Sequence, residues 1–586
     1  MWRPERVAKP AVAPGTPPKS PRADSSARGA ADQTPAAPSG STRPEIIVYV
    51  LWAVILALGV QRCLYHLAYL QNDPFALVTI ADGQVYEDAA RDILAFPYWG
   101  SKPFYLQGAY AYLLAAGILP NGSVVGGLVL QLIAAVAGLA LFGLAARACF
   151  GPRVGLLSLI VLLACPDVSF YENKYLSVVL AMFACMLLLW TFARSLNRPS
   201  FANACVVGVS AGLCALARPN LILIAPFCAI AVWLAAQRRS RFGRTLLALG
   251  VLIGLAGALA PMALRNWVVT GTPTVFPSHG GGIPFLIGNN PESNGRWNDA
   301  GGLLGGQVYL ERDELAARLG IHAQGADLDA AIGGALYRRA FDFISNHPFE
   351  YFLLELRKLW ALSGNHAYVH DYDLLGEQEI VGAAFPFGLP FGIVLGLGSL
   401  GLFILYRRAR EARHDPTHAA LCWVLYGLVF ATLVANLVWF TAAQHRLPLY
   451  VPLAFAAGRA LDTIARRLGR ALPASALPIP ACVVAALLCA QAFYPRVASP
   501  KPSSTHYFNL ANVEEVLGRP EAALAHYALA TERNPKQTAY WWRRAVLAQR
   551  MRRLDDARYA LDQLLALPNL SPALRDATTA ARKSLQ

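Results

Sequence analysis

Between Asp73 and Tyr112 the chain sets five carboxylates, Asp73, Asp82, Glu87, Asp88 and Asp92, against only two basic side chains, Arg91 and Lys102. This stretch follows an apolar run of membrane-spanning length, where loops more often carry Lys and Arg. A carboxylate at such an edge can serve as a general base when partial burial raises its pKa. Group transfer with an anionic leaving group also needs a cation, and Arg suits it because its planar fork grips phosphate oxygens bidentately. Arg218, Arg265 and Arg446 each stand at the end of an apolar run. Base and anion holder are both at hand.

The elements that must position them are membrane helices. The 586 residues are 55% hydrophobic and only 15% charged, whereas a soluble domain carries about a quarter charged residues. Runs long enough to cross a bilayer, roughly 17–25 residues each, occur near 45–66, 122–146, 154–171, 175–193, 203–217, 220–236, 245–267, 382–406, 418–440, 446–465 and 475–495. The expected fold is therefore all-α and polytopic, with about eleven transmembrane helices. The net charge of +15 sits in short loops between the runs, which is the positive-inside pattern and argues against nucleic acid. Seven basic residues precede the first run, from Arg3 to Arg43, so the N-terminus is expected on the cytoplasmic side. With eleven spans every later basic cluster falls on that side too. The segment 67–121, the insert 268–381 and the tail after 496 then face outward, and so do the arginines at positions 218, 265 and 446. The apolar stretch 105–119, bracketed by Pro103 and Pro120, is expected to lie in the interface, because a crossing there would invert the later clusters.

Five regions follow: a disordered cytosolic arm over 1–44, rich in Pro, Ala and Ser; an N-terminal transmembrane catalytic module over 45–267, with its outer loop at 67–121; a large outer-face loop region over 268–381; C-terminal transmembrane helices over 382–497; and a tail over 498–586. The arm is too long for a signal-peptide n-region, so the first span is expected to stay as an anchor. All ten cysteines lie in or beside apolar runs, which argues against a disulfide framework. The tail repeats itself: residues 517–535 align with 551–569 at a separation of 34 residues, the tetratricopeptide period. Tyr507, Leu510, Ala523, Tyr527, Ala530 and Pro535 take the helix-packing positions of the first copy, and Trp541, Ala545, Ala557, Leu561 and Leu564 those of the second. Two copies are fewer than the three or so a stable stack needs. Residues 571–584 are expected to cap them, or the pair to dock on the membrane helices.

Other constellations carry less. His366 and His370 have the i, i+4 spacing of a metal pair, but no Glu lies between them. His279 borders three glycines where a ligand could approach the backbone. Gly280–Gly282 lacks the strand and Lys-Ser/Thr context of a nucleotide-phosphate loop, and no Gly-x-Ser-x-Gly elbow appears.

Asp82-Gly-Gln-Val-Tyr86-Glu-Asp-Ala89, followed by Lys102-Pro-Phe-Tyr-Leu-Gln-Gly-Ala-Tyr110-Ala-Tyr112, resembles the first outer loop of the GT-C membrane glycosyltransferases. The branch it is most similar to contains the protein O-mannosyltransferases and lipid A aminoarabinose transferases. The second motif departs from that branch, with Gly108-Ala109 and Ala111 standing where prolines are usual. Phe170-Tyr-Glu172-Asn-Lys174 resembles the family's short second outer loop, and Ala217-Arg218-Pro219 its Arg-Pro before an apolar span. Arg265-Asn266-Trp267, His279-Gly-Gly-Gly and Gly288-Asn289-Asn290-Pro291 resemble the beginning of the large outer loop. Asn346-His347-Pro348 with Lys358-Leu-Trp360 resembles its closing interfacial helix, and Gln444-His445-Arg446-Leu-Pro448 a late-span element. The likeness covers about residues 45–465.

The resemblance implies an integral membrane enzyme that moves a sugar from a polyprenyl-phosphate donor to a lipid, glycan or protein hydroxyl at the outer face, with inversion. Asp82 is then the expected catalytic base, with Glu172 assisting. Tyr86, Lys102, Lys174, Arg218, Arg265, His279 and Arg446 are the expected substrate-binding residues. The sequence calls for no cofactor or metal; a divalent cation is left open without support. The expected partners are the lipid-linked donor, membrane lipids and a protein held by the repeat tail, in the inner (plasma) membrane of a bacterial envelope. The alternatives are a transporter or flippase, and an assembly scaffold built on the tail. Transporters carry ionisable residues in mid-membrane, and these runs are nearly free of mid-span acids.

Overall fold

The computed structural model describes residues 43–586 apart from 277–280, 299, 301–302, 304–311, 324, 369–370, 412–415, 474–476, 497–500, 569, 571 and 586. Contacts divide the chain into Met1–Ile47 and Val48–Gln586. The arm expected over 1–44 lies almost wholly outside the described residues, as do His279 and His370.

No strand occurs among the described residues. The first half comprises α1 (Arg43–Asn72), α2 (Asp82–Ala95), α3 (Gly108–Ile118), α4 (Val125–Phe150), α5 (Pro152–Leu163), α6 (Pro166–Glu172), α7 (Val178–Asn197), α8 (Phe201–Ala217), α9 (Ile224–Ala235) and α10 (Arg241–Thr270). The insert contributes α11 (Gly282–Gly288), α12 (Arg312–Leu319), α13 (Gly325–Asn346), α14 (Pro348–Ser363) and α15 (Leu374–Val381). Then come α16 (Phe391–Glu411), α17 (Pro416–Val438), α18 (Ala443–Leu468) and α19 (Ile479–Ala492), followed by the tail helices α20 (Ser504–Val516), α21 (Pro520–Arg533), α22 (Thr538–Arg550), α23 (Leu554–Leu565) and α24 (Pro572–Lys583).

Each apolar run of the sequence is largely helical in the structure. Six described helices, α1, α4, α7, α10, α16 and α17, are long and apolar enough to cross a membrane, or seven if α5 and α6 count as one bent span. α8, α9 and α19 are shorter apolar helices. The run 154–171 differs from the continuous span expected of it: α5 and α6 meet at 66°. Pro166 is the cause, because it lacks a backbone donor and disfavours helix in the residue before it. The bend carries Asp167, Tyr171 and Glu172 inward. α3 has 11 residues, about 17 Å of rise, too short to cross a core of about 30 Å. It buries Tyr110, Leu114 and Ile118 and packs on α2 and α4.

α1 and α14 are inverted amphipaths. On α1, Val54, Leu56, Val60, Leu64 and Leu67 are exposed, while Arg62, Tyr65 and Tyr69 point inward. α14 shows Phe349, Phe352, Leu356 and Trp360 outward and buries Lys358. Apolar groups outside and charge inside is the arrangement a lipid environment selects. Elsewhere small residues bring helices together. A Cβ on Gly208 would collide with the Val251 carbonyl of α10, and one on Gly254 with the Cys205 carbonyl of α8, so those two helices touch backbone to backbone.

The tail helices pack pairwise, α20 on α21 and α22 on α23, with α24 on α23. Tyr507, Leu510, Ala523, Tyr527 and Ala530 are buried, as are Trp541, Ala545, Ala557, Leu561 and Leu564. Leu510 and Val513 belong to the main hydrophobic core of the membrane helices rather than to the tail's own cluster. Capping by α24 and docking by α20 both occur.

Candidate active site

The chain leaves α1 through Asp73, whose carboxylate caps a short 3₁₀ turn by accepting from Phe75 N–H at 2.9 Å. It turns into α2 at Ala81, a non-glycine residue with φ of 48°. That turn sets Asp82 at the first helical position, where unsatisfied backbone donors favour a negative charge. The start of α2 fits closely against its surroundings: a Cβ on Gly83 would lie 3.1 Å from Tyr175 Cβ and 3.1 Å from the Tyr372 hydroxyl. One turn on, Tyr86 is buried, donates to Gln107 Oε1 and sets its ring edge-on to Tyr110 at 4.7 Å. Burial pushes its phenol up, and the neighbouring Asp82 adds to the effect while Ser177 and Arg218 oppose it.

Arg218 closes α8 in an extended conformation, φ −147° and ψ 116°, as its position before Pro219 requires. Its side chain lies in the charge fields of Tyr86, Asp82 and Tyr171, and burial lowers its pKa from the ordinary guanidinium value. Its Nε is buried with no hydrogen-bond partner. Among the described residues the guanidinium makes no hydrogen bond or ion pair. Tyr171 also feels Asp167, Arg446 and Asp371. Tyr372 feels Asp371 and Asp82, and its hydroxyl is buried and unpartnered. Asp82, Tyr86 and Arg218, three of the residues singled out from the sequence, thus lie within electrostatic reach of one another, with Tyr171 and Tyr372 beside them.

The others are placed differently. Arg446 is buried; it donates from Nη2 to Asp167 Oδ2 at 2.8 Å and from Nη1 to the Gly364 carbonyl at 2.6 Å. Tyr450 donates to the same Asp167 oxygen at 2.5 Å. The Arg446 Nε has no partner. Arg265 donates to the Trp99 and Lys102 carbonyls, each at 2.7 Å, and lies 3.6 Å over the Phe104 ring. It ties α10 to the loop before α3. The Lys102 side chain is exposed, and its backbone N–H, with that of Ser101, donates to Asp92. His279 lies outside the described residues.

Glu172 and Lys174 do not pair with each other, and neither is at the surface. Arg62 grips both Glu172 oxygens, Nε reaching Oε2 at 2.9 Å, and His66 Nε2 lies 3.3 Å from Oε2. Lys174 is fully buried, paired with Glu377 and stacked 4.0 Å over Tyr69. Tyr65 donates to the other Glu377 oxygen. Burial raises the Glu377 carboxyl to about 7, with Lys174 pulling it down and Asp73 pushing it up. Asp73 is likewise raised by burial. Glu172 and Lys174 thus each belong to a buried ion cluster.

Several of these partners were missed in the sequence. Arg62 had a signal, an ionisable residue inside an apolar run. Asp167, inside the apolar run 154–171, had the same signal, and Tyr171 stood in the quoted loop motif without a role of its own; Tyr372 and Glu377 had none, since nothing local separates them from ordinary loop residues. Of the other acids between Asp73 and Tyr112, Glu87 pairs with Arg91 at 2.7 Å and accepts from Thr79, and Asp92 holds Ser101. Among the described residues no group of three or more His, Cys, Asp or Glu side chains could hold a metal ion.

Residues 102–263 match the dolichyl-phosphate-mannose-protein mannosyltransferase family. The glycosyltransferase resemblance is borne out over that stretch, which contains Lys102, Glu172, Lys174 and Arg218 but not Asp82, Tyr86, Arg265 or Arg446. No curated protein sequence matches the chain. Among solved structures, the oligosaccharyltransferase AglB of Archaeoglobus fulgidus, in complex with an inhibitory peptide and a dolichol-phosphate, is 15% identical with a TM-score of 0.39, over 81% of this chain and 56% of its own. The chain thus spans about half the length of that protein. An oligosaccharyltransferase of Archaeoglobus fulgidus in its apo form gives 15% identity and a TM-score of 0.39, over 79% and 56%. ArnT of Cupriavidus metallidurans, bound to undecaprenyl phosphate, is 14% identical with a TM-score of 0.38, over 91% and 82%.

Proposed function

We propose that this chain is an integral membrane glycosyltransferase taking a sugar from a polyprenyl-phosphate-linked donor and passing it, with inversion, to a lipid, glycan or protein hydroxyl at the outer face of the membrane. One observation carries the reading: Arg218, a guanidinium with a buried, unpartnered Nε in the field of Asp82. A buried donor without an acceptor is costly, and an anionic ligand supplies the acceptor it lacks. The family match over residues 102–263 supports phosphate on a lipid carrier as that anion.

In this reading Asp82 accepts the proton of the acceptor hydroxyl as its oxygen forms the bond to the anomeric carbon. The bond from that carbon to the donor phosphate breaks, and Arg218 takes up the charge that gathers on the departing phosphate oxygen. Tyr86 and Tyr372 stand beside Asp82 at the start of α2. Arg446, with Asp167 and Tyr450, forms a buried cluster that holds α6 to α18, and Arg265 fixes the loop carrying Lys102. Glu172, held by Arg62 and His66, and Lys174, held by Glu377, are assigned to support α6 from behind. The test is Asp82→Asn, produced in a strain deleted for this chain, with the envelope glycans analysed for a missing sugar. Loss of that sugar at normal protein level is the expected result; a normal glycan profile refutes the assignment.

A further inference from the structure

The tail does not hang from the membrane helices; it is bonded to the turn that carries Tyr372. Asp373 follows Tyr372 directly and is 4% exposed. Its Oδ1 caps α15, accepting from Leu375 N–H at 3.0 Å and Gly376 N–H at 3.4 Å. Its Oδ2 accepts from the backbone N–H of Ser503 at 2.6 Å. Ser503 is itself the cap of α20, its Oγ accepting from His506 N–H at 3.1 Å. One carboxylate thus starts α15 and anchors the residue that starts α20.

The contacts around it close the joint. The His506 ring occupies the place a Cβ on Gly376 would need, and lies 5.9 Å from the Phe75 ring. It is 4% exposed, and burial lowers its pKa to about 4, so it packs as a neutral ring. Tyr507 donates to Glu379 Oε2 at 2.8 Å, and Asn509 reaches the Asp371 carbonyl. Phe75 meets Tyr372 edge-on at 6.1 Å, and the Tyr372 hydroxyl abuts Gly83, next to Asp82.

We propose that Asp373 is a positioning residue through which the C-terminal helices hold Tyr372 against the start of α2, so that the tail is part of the transferase site. The activity arm of the test rests on the transferase reading; the structural arm does not. Full-length protein in lipid nanodiscs is compared by hydrogen–deuterium exchange as wild type, Asp373→Ala, Asp373→Asn and Gly376→Ala. Asp373→Ala is expected to speed exchange about tenfold in 371–381 and also in 82–95, as local opening follows loss of a charge-assisted bond. Asn offers one carbonyl oxygen and serves either α15 or Ser503 but not both, so it should fall between. Gly376→Ala keeps the carboxylate but pushes on His506, and it decides the matter if Asp373→Ala fails to fold. Leu561→Ala, in the tail's own core, should loosen α23 and leave 82–95 unchanged.

Unchanged exchange at 82–95 in Asp373→Ala and Gly376→Ala overturns the proposal, and so does an equal change in Leu561→Ala. In the transfer assay, kcat should fall on the order of 100-fold in Asp373→Ala, the cost of misplacing a reacting group, with the donor KM near wild type. Faster exchange at 82–95 with unchanged kcat also overturns it. A wild type that transfers no sugar defeats the transferase reading, while the exchange data still judge the joint.

Discussion

Replacing Arg218 by Met should separate a ligand-binding cation from a structural one, with Arg62 as the comparison. Both are arginines among apolar helices, but only Arg62 has an acceptor, the buried Glu172. Truncating Arg62 to Met leaves that carboxylate with His66 alone, and breaking a buried pair costs about 3–5 kcal/mol. Arg218→Met strands no hydrogen-bond acceptor among the described residues. It removes a donor whose unmet burial costs about 1–3 kcal/mol, so the folded state should hold or gain stability. The loss should appear only with substrate. Two charge-assisted bonds to a phosphate, at about 1.5–3 kcal/mol each, amount to about 3–6 kcal/mol, or about 10²–10⁴-fold in kcat/KM at 1.36 kcal/mol per decade. The measurements are the thermal midpoint of each purified variant in detergent and its sugar transfer in membranes from the deletion strain. Arg218→Met should melt at or above wild type and be nearly inactive, while Arg62→Met should melt well below it. An Arg218→Met protein that melts as early as Arg62→Met, or transfers sugar at the wild-type rate, refutes the reasoning.

Other outcomes can be checked the same way. The Glu377 carboxyl is raised to about 7 by burial, so the folded state binds a proton that the unfolded chain releases near pH 4–5. Its contribution is complete below that range and is lost as pH rises through about 7. The thermal midpoint should fall between pH 5 and 7, and Glu377→Gln should flatten that slope; an equal slope in both proteins counts against it. Arg265→Ala should free the loop at 99–104, raising the rate of proteolytic nicking there and lowering transfer about 10–100-fold, with little change in thermal midpoint. Asp82→Asn should reduce kcat by about 10²–10⁴-fold, the usual worth of a positioned base, with the donor KM nearly unchanged.

By itself the sequence determined the helices and their rough limits, and it put forward Asp82 and Arg218 as candidates for the chemistry. Apolar composition over a bilayer's length is a local property, so the runs from 45–66 to 475–495 could be read without knowing their neighbours. Asp82 and Arg218 were legible because each violates its surroundings, an acid cluster beside a membrane and a cation before Pro219. Only the tertiary structure decided which charges meet. Glu172 and Lys174 are two residues apart in one short motif, yet they turn to Arg62 and Glu377, which are 110 and 203 positions away. Asp373 likewise joins Ser503 across 130 residues and makes the tail part of the core. Partner choice among buried charges depends on which helices lie side by side and on which ions must be neutralised once water is gone. Neither is written in the local sequence.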